Sequence, residues 1–205
     1  MSNLFEAAGL EKGAPRPLAD RLRPKSLDEV VGQEQIVGPD GTLTRMLKSG
    51  RIASMILWGP PGTGKTTVAR LLATQTKLEF EQISAIFSGV QDLRKVFDRA
   101  KQRREQGRGT LLFVDEIHRF NRAQQDSFLP HMEDGTITLV GATTENPSFE
   151  LNAAILSRAV VLVFNRLDEK ALLDLCASAE KEEGRPLPLD TDARSALLSM
   201  ADGDG

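Results

Sequence analysis

The sequence predicts an α/β fold: a parallel five-stranded sheet flanked by helices, followed by the start of a helical subdomain. Three observations predict it. Five short apolar runs, at 55–58, 78–83, 110–114, 137–141 and 160–163, recur between segments of helical periodicity, as strands covered on both faces do. The first run leads directly into a glycine-rich loop that opens a helix. After Asn165 the pattern turns purely helical, at about 168–182 and 190–201, which puts a boundary near 167. The expected organisation is an extended arm over 1–25, an α/β unit over 26–167, and a truncated helical piece over 168–205.

Residues 1–25 are polar and interrupted by Gly9, Gly13, Pro15, Pro17 and Pro24, while Leu18 and Leu22 with Arg21, Arg23 and Lys25 suit a segment lying against a domain. Ser26 followed by Glu29 reads as a capping box opening a short helix. Asp40-Gly41 is a turn, and Thr42–Ser49 reads as a helix closed by Gly50. Val68, Leu71, Leu72 and Gln75 give 66–76 a helical stripe, and 78–83 alternates as a strand. Leu93, Val96, Phe97 and Ala100 fall at i, i+3, i+4 and i+7, predicting a helix over about 91–106. Thr110–Val114 is a buried strand ending in two acids, and Asn121 with Gln124 caps a helix to about Glu133.

Composition narrows the function classes. Two hundred and five residues with 40% hydrophobic and 27% charged side chains exclude wholesale disorder, collagen and coiled coil. Lys and Arg total 26 against 29 Asp and Glu, a net charge of −3, so a nucleic-acid contact requires a local patch. A single cysteine, Cys176, excludes an internal disulfide framework, and two histidines beside it do not suggest zinc. No run reaches the ~18 apolar residues of a membrane span, so a cytoplasmic protein without a membrane partner is expected. With no Tyr, one Trp and nine Phe, stacking platforms for single strands are scarce.

Gly59-Pro60-Pro61-Gly62-Thr63-Gly64-Lys65-Thr66 fits the phosphate-binding pattern G-x-x-x-x-G-K-[ST], between a strand and a helix. The glycines let backbone N–H groups turn inward toward phosphate oxygens, and the helix start, with Thr67, adds partial positive charge. Lys65 can bridge the β- and γ-phosphates of ATP, and the Thr66 hydroxyl can ligate Mg2+. Asp115 and Glu116 end a strand on the side where a parallel sheet holds its ligand. Asp115 suits Mg2+ binding, and Glu116 suits taking a proton from an attacking water. Thr143 and Thr144 follow the next strand, where a hydroxyl, Thr144 in preference, can orient that water. Ser157-Arg158 precedes the last strand near the sheet rim, away from its own nucleotide, which makes Arg158 a candidate finger acting on a neighbouring copy. The plain readings are an ordinary turn, a solvated strand end and a surface arginine packing on its stem.

In order, Gly59–Thr66, Leu112–Glu116, Gly141–Thr144 and Ser157-Arg158 resemble the AAA+ ATPases. Residues 18–33 resemble the nucleotide-pocket entry of clamp loaders and Holliday-junction motors, and 115–126 with 141–150 resemble the replication-associated recombination protein A family. That resemblance implies a P-loop AAA+ fold with a helical lid, and a bacterial, nucleoid-associated, DNA-stimulated ATPase. Its DNA would be forks, duplex ends and single-strand junctions, and it would be a homo-oligomer at full length. It implies Lys65 and Thr66 as Walker A, Asp115 and Glu116 as Walker B, Thr144 as sensor 1 and Arg158 as the arginine finger. Val30, Val31 and Gly32 would lie by the adenine, and Ser84 where related ATPases couple ligand sensing to the Walker B glutamate. The alternatives are a clamp-loader-like subunit and a nucleotide-switched scaffold recruiting replication proteins. Since the sensor 2 arginine and assembly region would follow Gly205, this chain is expected to be monomeric and weakly active.

Two further features bear on partners. Arg94, Lys95, Arg99, Lys101, Arg103, Arg104 and Arg108 crowd one stretch as a solvated helix face or a DNA contact. In the second case, removing Arg103 and Arg104 would flatten the salt dependence of DNA binding. Leu4-Phe5 resembles the short motifs that enter a sliding clamp's pocket. His118, Arg119 and Arg122 follow Walker B and are placed to reach a neighbouring subunit, with a core or capping role equally open for His118.

Overall fold

The computed structural model describes residues 17–205. Five strands form one parallel sheet: β1 (Met55–Trp58), β2 (Glu79–Ser84), β3 (Thr110–Asp115), β4 (Thr138–Thr143) and β5 (Val160–Val163), in the order β2-β3-β4-β1-β5. Ahead of the sheet lie α1 (Leu18–Arg21), α2 (Glu34–Val37) and α3 (Thr42–Ser49). Between strands lie α4 (Lys65–Thr76), α5 (Val90–Glu105), α6 (Arg122–Asp126), α7 (Leu129–Glu133), α8 (Pro147–Glu150) and α9 (Ala153–Leu156). The chain closes on α10 (Glu169–Glu183) and α11 (Thr191–Ala201).

The period-two geometry of strands divides the core into two layers. Met55, Leu57, Leu111, Phe113, Val140 and Ala142 point to one face, where α4 covers them with Val68, Ala69, Leu72 and Ala73. Ile56, Leu112, Val114 and Leu139 point to the other, under Leu93, Val96, Phe97 and Ala100 of α5. Phe97 meets the Phe128 ring edge-on at 5.6 Å, an arrangement the aromatic quadrupole favours. A third cluster of Leu167, Ala171 and Leu172 joins Leu175 and Leu198 to Val31. Buried Gln33 ties the N-terminal segment to the end of the sheet: its side chain donates to the Asn165 carbonyl at 2.8 Å and accepts from Asn165 N at 3.1 Å.

Several local expectations change. Ser26 makes no side-chain cap, and only a 3₁₀ turn forms over Leu27–Glu29, because the Glu29 carboxylate reaches back to Lys25 N at 2.7 Å instead. Asn121 and Gln124 do form a reciprocal capping box, at 2.9 and 3.0 Å. The helix they open stops at Asp126, and a separate α7 begins around Pro130, whose nitrogen cannot donate to a continuing ladder. Strand β4 runs to Thr143, so this threonine belongs to the sheet and is fully buried, while Thr144 is the first residue beyond it. Leu4 and Phe5 lie outside the described residues.

Candidate functional site

Strand β1 sits between β4 and β5, and its C-terminal end delivers the glycine-rich loop beside the ends of both neighbours. Gly59 N donates to the Thr143 carbonyl at 3.2 Å. A Cβ at Gly59 would collide with the Phe164 carbonyl oxygen, so only glycine fits at this crossing of strand ends. Thr63 Oγ1 donates to Pro60 O at 2.9 Å and closes the loop, and α4 starts immediately after left-handed Gly64. The first N–H groups of a helix lack intrahelical acceptors, so this end of α4 presents donors and partial positive charge.

Lys65 is half-buried, and its ammonium donates to the carbonyls of Gly59, at 2.8 Å, and Pro60. Burial lowers its pKa, while the carboxylates of Glu116, Asp115 and Asp204 act in the opposite direction. Two of these acids end β3. Asp204 comes from the far end of the chain, its carboxylate filling the space that a Cβ at Gly62 would need.

Asp115 and Glu116 line one end of a cleft of about 650 Å³, together with Pro61–Thr67, Lys65 among them, and Thr144. The other end is mostly aliphatic, formed by Leu18, Ala19, Leu22, Pro24, Val30 and Val31 with the charged Arg23 on one side and by Leu167, Leu175 and Gly205 on the other. Arg21 fastens these two sides. It donates to the carboxylates of Glu182 at 3.1 Å and Glu183 at 2.7 Å, and to the Glu182 carbonyl at 3.3 Å. A cleft with concentrated polar groups at one end and aliphatic walls at the other suits a nucleoside polyphosphate.

Glu116 adopts a left-handed backbone (φ 54°, ψ 43°), uncommon for a residue with a Cβ and typical of sites where geometry is imposed. Its Oε2 lies 3.4 Å from Nε2 of His118, and Nδ1 of the same ring lies 2.9 Å from Thr143 Oγ1.

The cleft thus brings together Val30, Val31, Pro61, Gly62, Thr63, Gly64, Lys65, Thr66, Thr67, Asp115, Glu116 and Thr144, with Gly59 and Pro60 shaping it from behind. Gly32 is not itself in the lining but packs directly behind it, with 2.7 Å from a would-be Cβ to Cδ2 of the lining residue Leu167 and 3.1 Å to Ala171 Cβ. Arg158 lies outside the cleft lining, exposed and paired to Glu133 at 2.6 Å. Ser84 pairs in register with Asp115. Thr66 and Asp115, an oxygen donor set suited to a hard cation, both line the cleft, so the residues fit Mg2+.

The basic run on α5 is largely consumed internally. Arg99 and Arg103 hold Glu81, Arg104 pairs with Asp134 and Arg108 with Glu79. Sequence reasoning did not find Leu167, Leu175, Asp204 or the Thr143–His118 contact, because each joins positions far apart in the chain with no local spacing to mark them. Among the described residues no helix is long and apolar enough to cross a membrane.

Residues 55–167 match the family described as ATPase family associated with various cellular activities (AAA). Replication-associated recombination protein A of Escherichia coli K12 is 47% identical over 194 residues, covering 92% of this chain and 43% of the relative. ATPase WRNIP1 of Dictyostelium discoideum is 42% identical over 192 residues, covering 92% of this chain and 22% of the relative. Among solved structures, the Holliday junction branch migration motor RuvB of Thermotoga maritima superposes with a TM-score of 0.72 at 29% identity. That match covers 89% of this chain and 61% of the motor. The chain therefore spans less than half the length of the curated relatives it matches.

Proposed function

The chain belongs to the AAA family of ATPases, and on that premise we propose that it carries the ATP-hydrolysing core of a replication and recombination enzyme that acts on DNA. The observation that carries this reading is one cleft in which Lys65, Thr66, Asp115, Glu116 and Thr144 gather at one end and aliphatic side chains at the other. In this reading the adenine lies against Val30, Val31 and Leu175, and the triphosphate on the loop 59–64 and the N-terminus of α4. Lys65 exchanges its two carbonyl acceptors for β- and γ-phosphate oxygens. Mg2+, held by Thr66 and Asp115, supplies neutralisation of the phosphate charge. Thr144 orients the attacking water, and Glu116 accepts its proton. Residues 168–205 form the start of a lid, and Leu175 of this lid bears on the base together with Leu167 just ahead of it.

Arg158 completes the site of a neighbouring copy, which makes the full-length protein a homo-oligomer. Its place outside its own cleft lining and its exposure support this assignment. DNA as the partner rests on the names of the relatives.

The decisive comparison is Glu116→Gln against the unaltered protein, with ATP turnover and nucleotide affinity measured with and without forked DNA. Turnover should fall by about 10²-fold or more, the scale of a lost general base, while affinity stays level. Undiminished turnover would remove Glu116 from that role. Equal rates with and without DNA would remove the DNA-stimulated reading.

A further inference from the structure

We infer that His118 is a positioning residue for Glu116 and that Thr143 fixes the tautomer in which it works. The inference rests on Glu116 being the base. The side chain of His118 is only 6% exposed, and that of Thr143 is fully buried, so water does not settle their hydrogen bonding.

The Thr143 hydroxyl accepts the Glu145 N–H at 3.0 Å, which leaves its own proton to be donated. Two acceptors lie in reach: Nδ1 of His118 at 2.9 Å and the Glu145 carbonyl at 3.3 Å. The other ring nitrogen faces a carboxylate, which can only accept, so the arrangement that satisfies both contacts sends the hydroxyl proton to Nδ1. A neutral imidazole that accepts at Nδ1 carries its own proton on Nε2. Nε2 is the atom facing Glu116 Oε2, at 3.4 Å. The ring therefore presents a donor to the carboxylate, and a small side-chain rotation closes the contact into a hydrogen bond. The left-handed backbone at Glu116 places its carboxylate on this side of the strand end.

Thr143 is tied into the rest of the site at the same time. Its carbonyl accepts Gly59 N at the start of the phosphate loop, and its chain neighbour Thr144 lines the cleft. One buried residue thus links the loop that grips phosphate, the threonine that faces it and the carboxylate that takes the proton. A histidine that merely filled space beneath β4 would need neither the hydroxyl nor a defined tautomer.

The test uses the full-length protein and two independent readouts. Nitrogen-15 NMR of the imidazoles, with the His118 signals assigned by their loss in a His118→Gln variant, should find His118 in the Nε2–H form, and Thr143→Val should abolish that preference. In steady-state kinetics, Thr143→Val should lower kcat by roughly 10- to 100-fold, the scale of a misplaced catalytic group. KM and nucleotide affinity should stay within about twofold, since only the reacting geometry changes. Thr143→Ser, which keeps the hydroxyl, should restore the rate. Adding His118→Gln to Thr143→Val should cost little more, because coupled residues act as one unit. An Nδ1–H tautomer in the unaltered protein, or unchanged kcat in Thr143→Val, would overturn the inference. Glu116→Gln run in parallel separates the two ideas. Normal turnover there sinks the base assignment, whereas lost turnover there beside normal turnover in Thr143→Val sinks only the relay.

Discussion

Glu81 is gripped by two guanidinium groups, accepting from Arg99 at 2.9 Å through each oxygen and from Arg103 at 2.7 Å. The Arg99 hydrogen bonds, helped by Arg103 and opposed by partial burial, hold its pKa below the ordinary 4.5. A carboxylate whose folded pKa is depressed adds stability above its unfolded pKa and loses it as pH falls through the folded value. Glu81→Gln should therefore destabilise the protein by about 1 kcal/mol near neutral pH. The deficit should shrink as pH drops through the lowered Glu81 value, and urea unfolding at a series of pH values would follow both. A deficit that grew under acid would reverse the assignment. At this scale, sequence legibility depended on locality. Lys65, Thr66, Asp115 and Glu116 declare themselves because each sits at a fixed step from a strand end. Glu81 meets Arg99 and Arg103 only because β2 and α5 pack together, and nothing in the alternating charges of either segment states the pairing.

Helix boundaries show which local signals prevail. Asp168 and Asp190 cap α10 and α11 through their side chains, accepting from Ala171 N and Ala193 N at 2.8 Å each. Replacing Asp168 with Ala should cost about 1 kcal/mol, and Asn should recover most of it, because either side-chain oxygen satisfies the same orphan N–H. Chemical denaturation of the two variants checks this, and equal losses for Ala and Asn would point to charge instead of capping. The helices at 169–183 and 191–201 were legible from periodicity, as was the α5 stripe. The break between α6 and α7 was not legible: the capping signal at Asn121 favours one continuous helix to about Glu133, and Pro130 falls in the first turn of the second helix, where proline is tolerated. Ser26 failed as a cap for a subtler reason: its box partner Glu29 binds the preceding residue's N–H.

At the scale of the molecule, internal pairing redistributes the charge available to DNA. Arg103 and Arg104 answer Glu81 and Asp134, whereas Arg94, Arg119 and Arg122 are exposed and, among the described residues, form no ion pair. Removing Arg94, Arg119 and Arg122 should reduce the log–log salt slope of duplex binding by roughly 0.9 for each phosphate they neutralise. Removing Arg103 and Arg104 should leave the slope nearly unchanged, contrary to what their clustering in sequence suggests. Anisotropy titrations across a salt series distinguish the two, and equal flattening would return Arg103 and Arg104 to the DNA face. The phosphate end of the cleft was readable because one strand order and two motifs define it. The apolar end was only half readable, since Val30 and Val31 come from one end of the chain and Leu167 and Leu175 from the other.

The interior place of β1, between β4 and β5, also has a price in time. Met55 pairs with Val140 on one side and Val160 on the other, and neither β2 nor β3 pairs with this strand. During synthesis the apolar segment Met55–Trp58 must therefore wait for both partners. At ~5–20 residues per second, that wait is on the order of ten seconds. Over that interval the strand that will carry the phosphate loop leaves the ribosome with both hydrogen-bonding edges open, the state most prone to pairing with the wrong chain. Growth conditions that slow elongation would lengthen this exposure, and early contact with a chaperone would protect the same four residues.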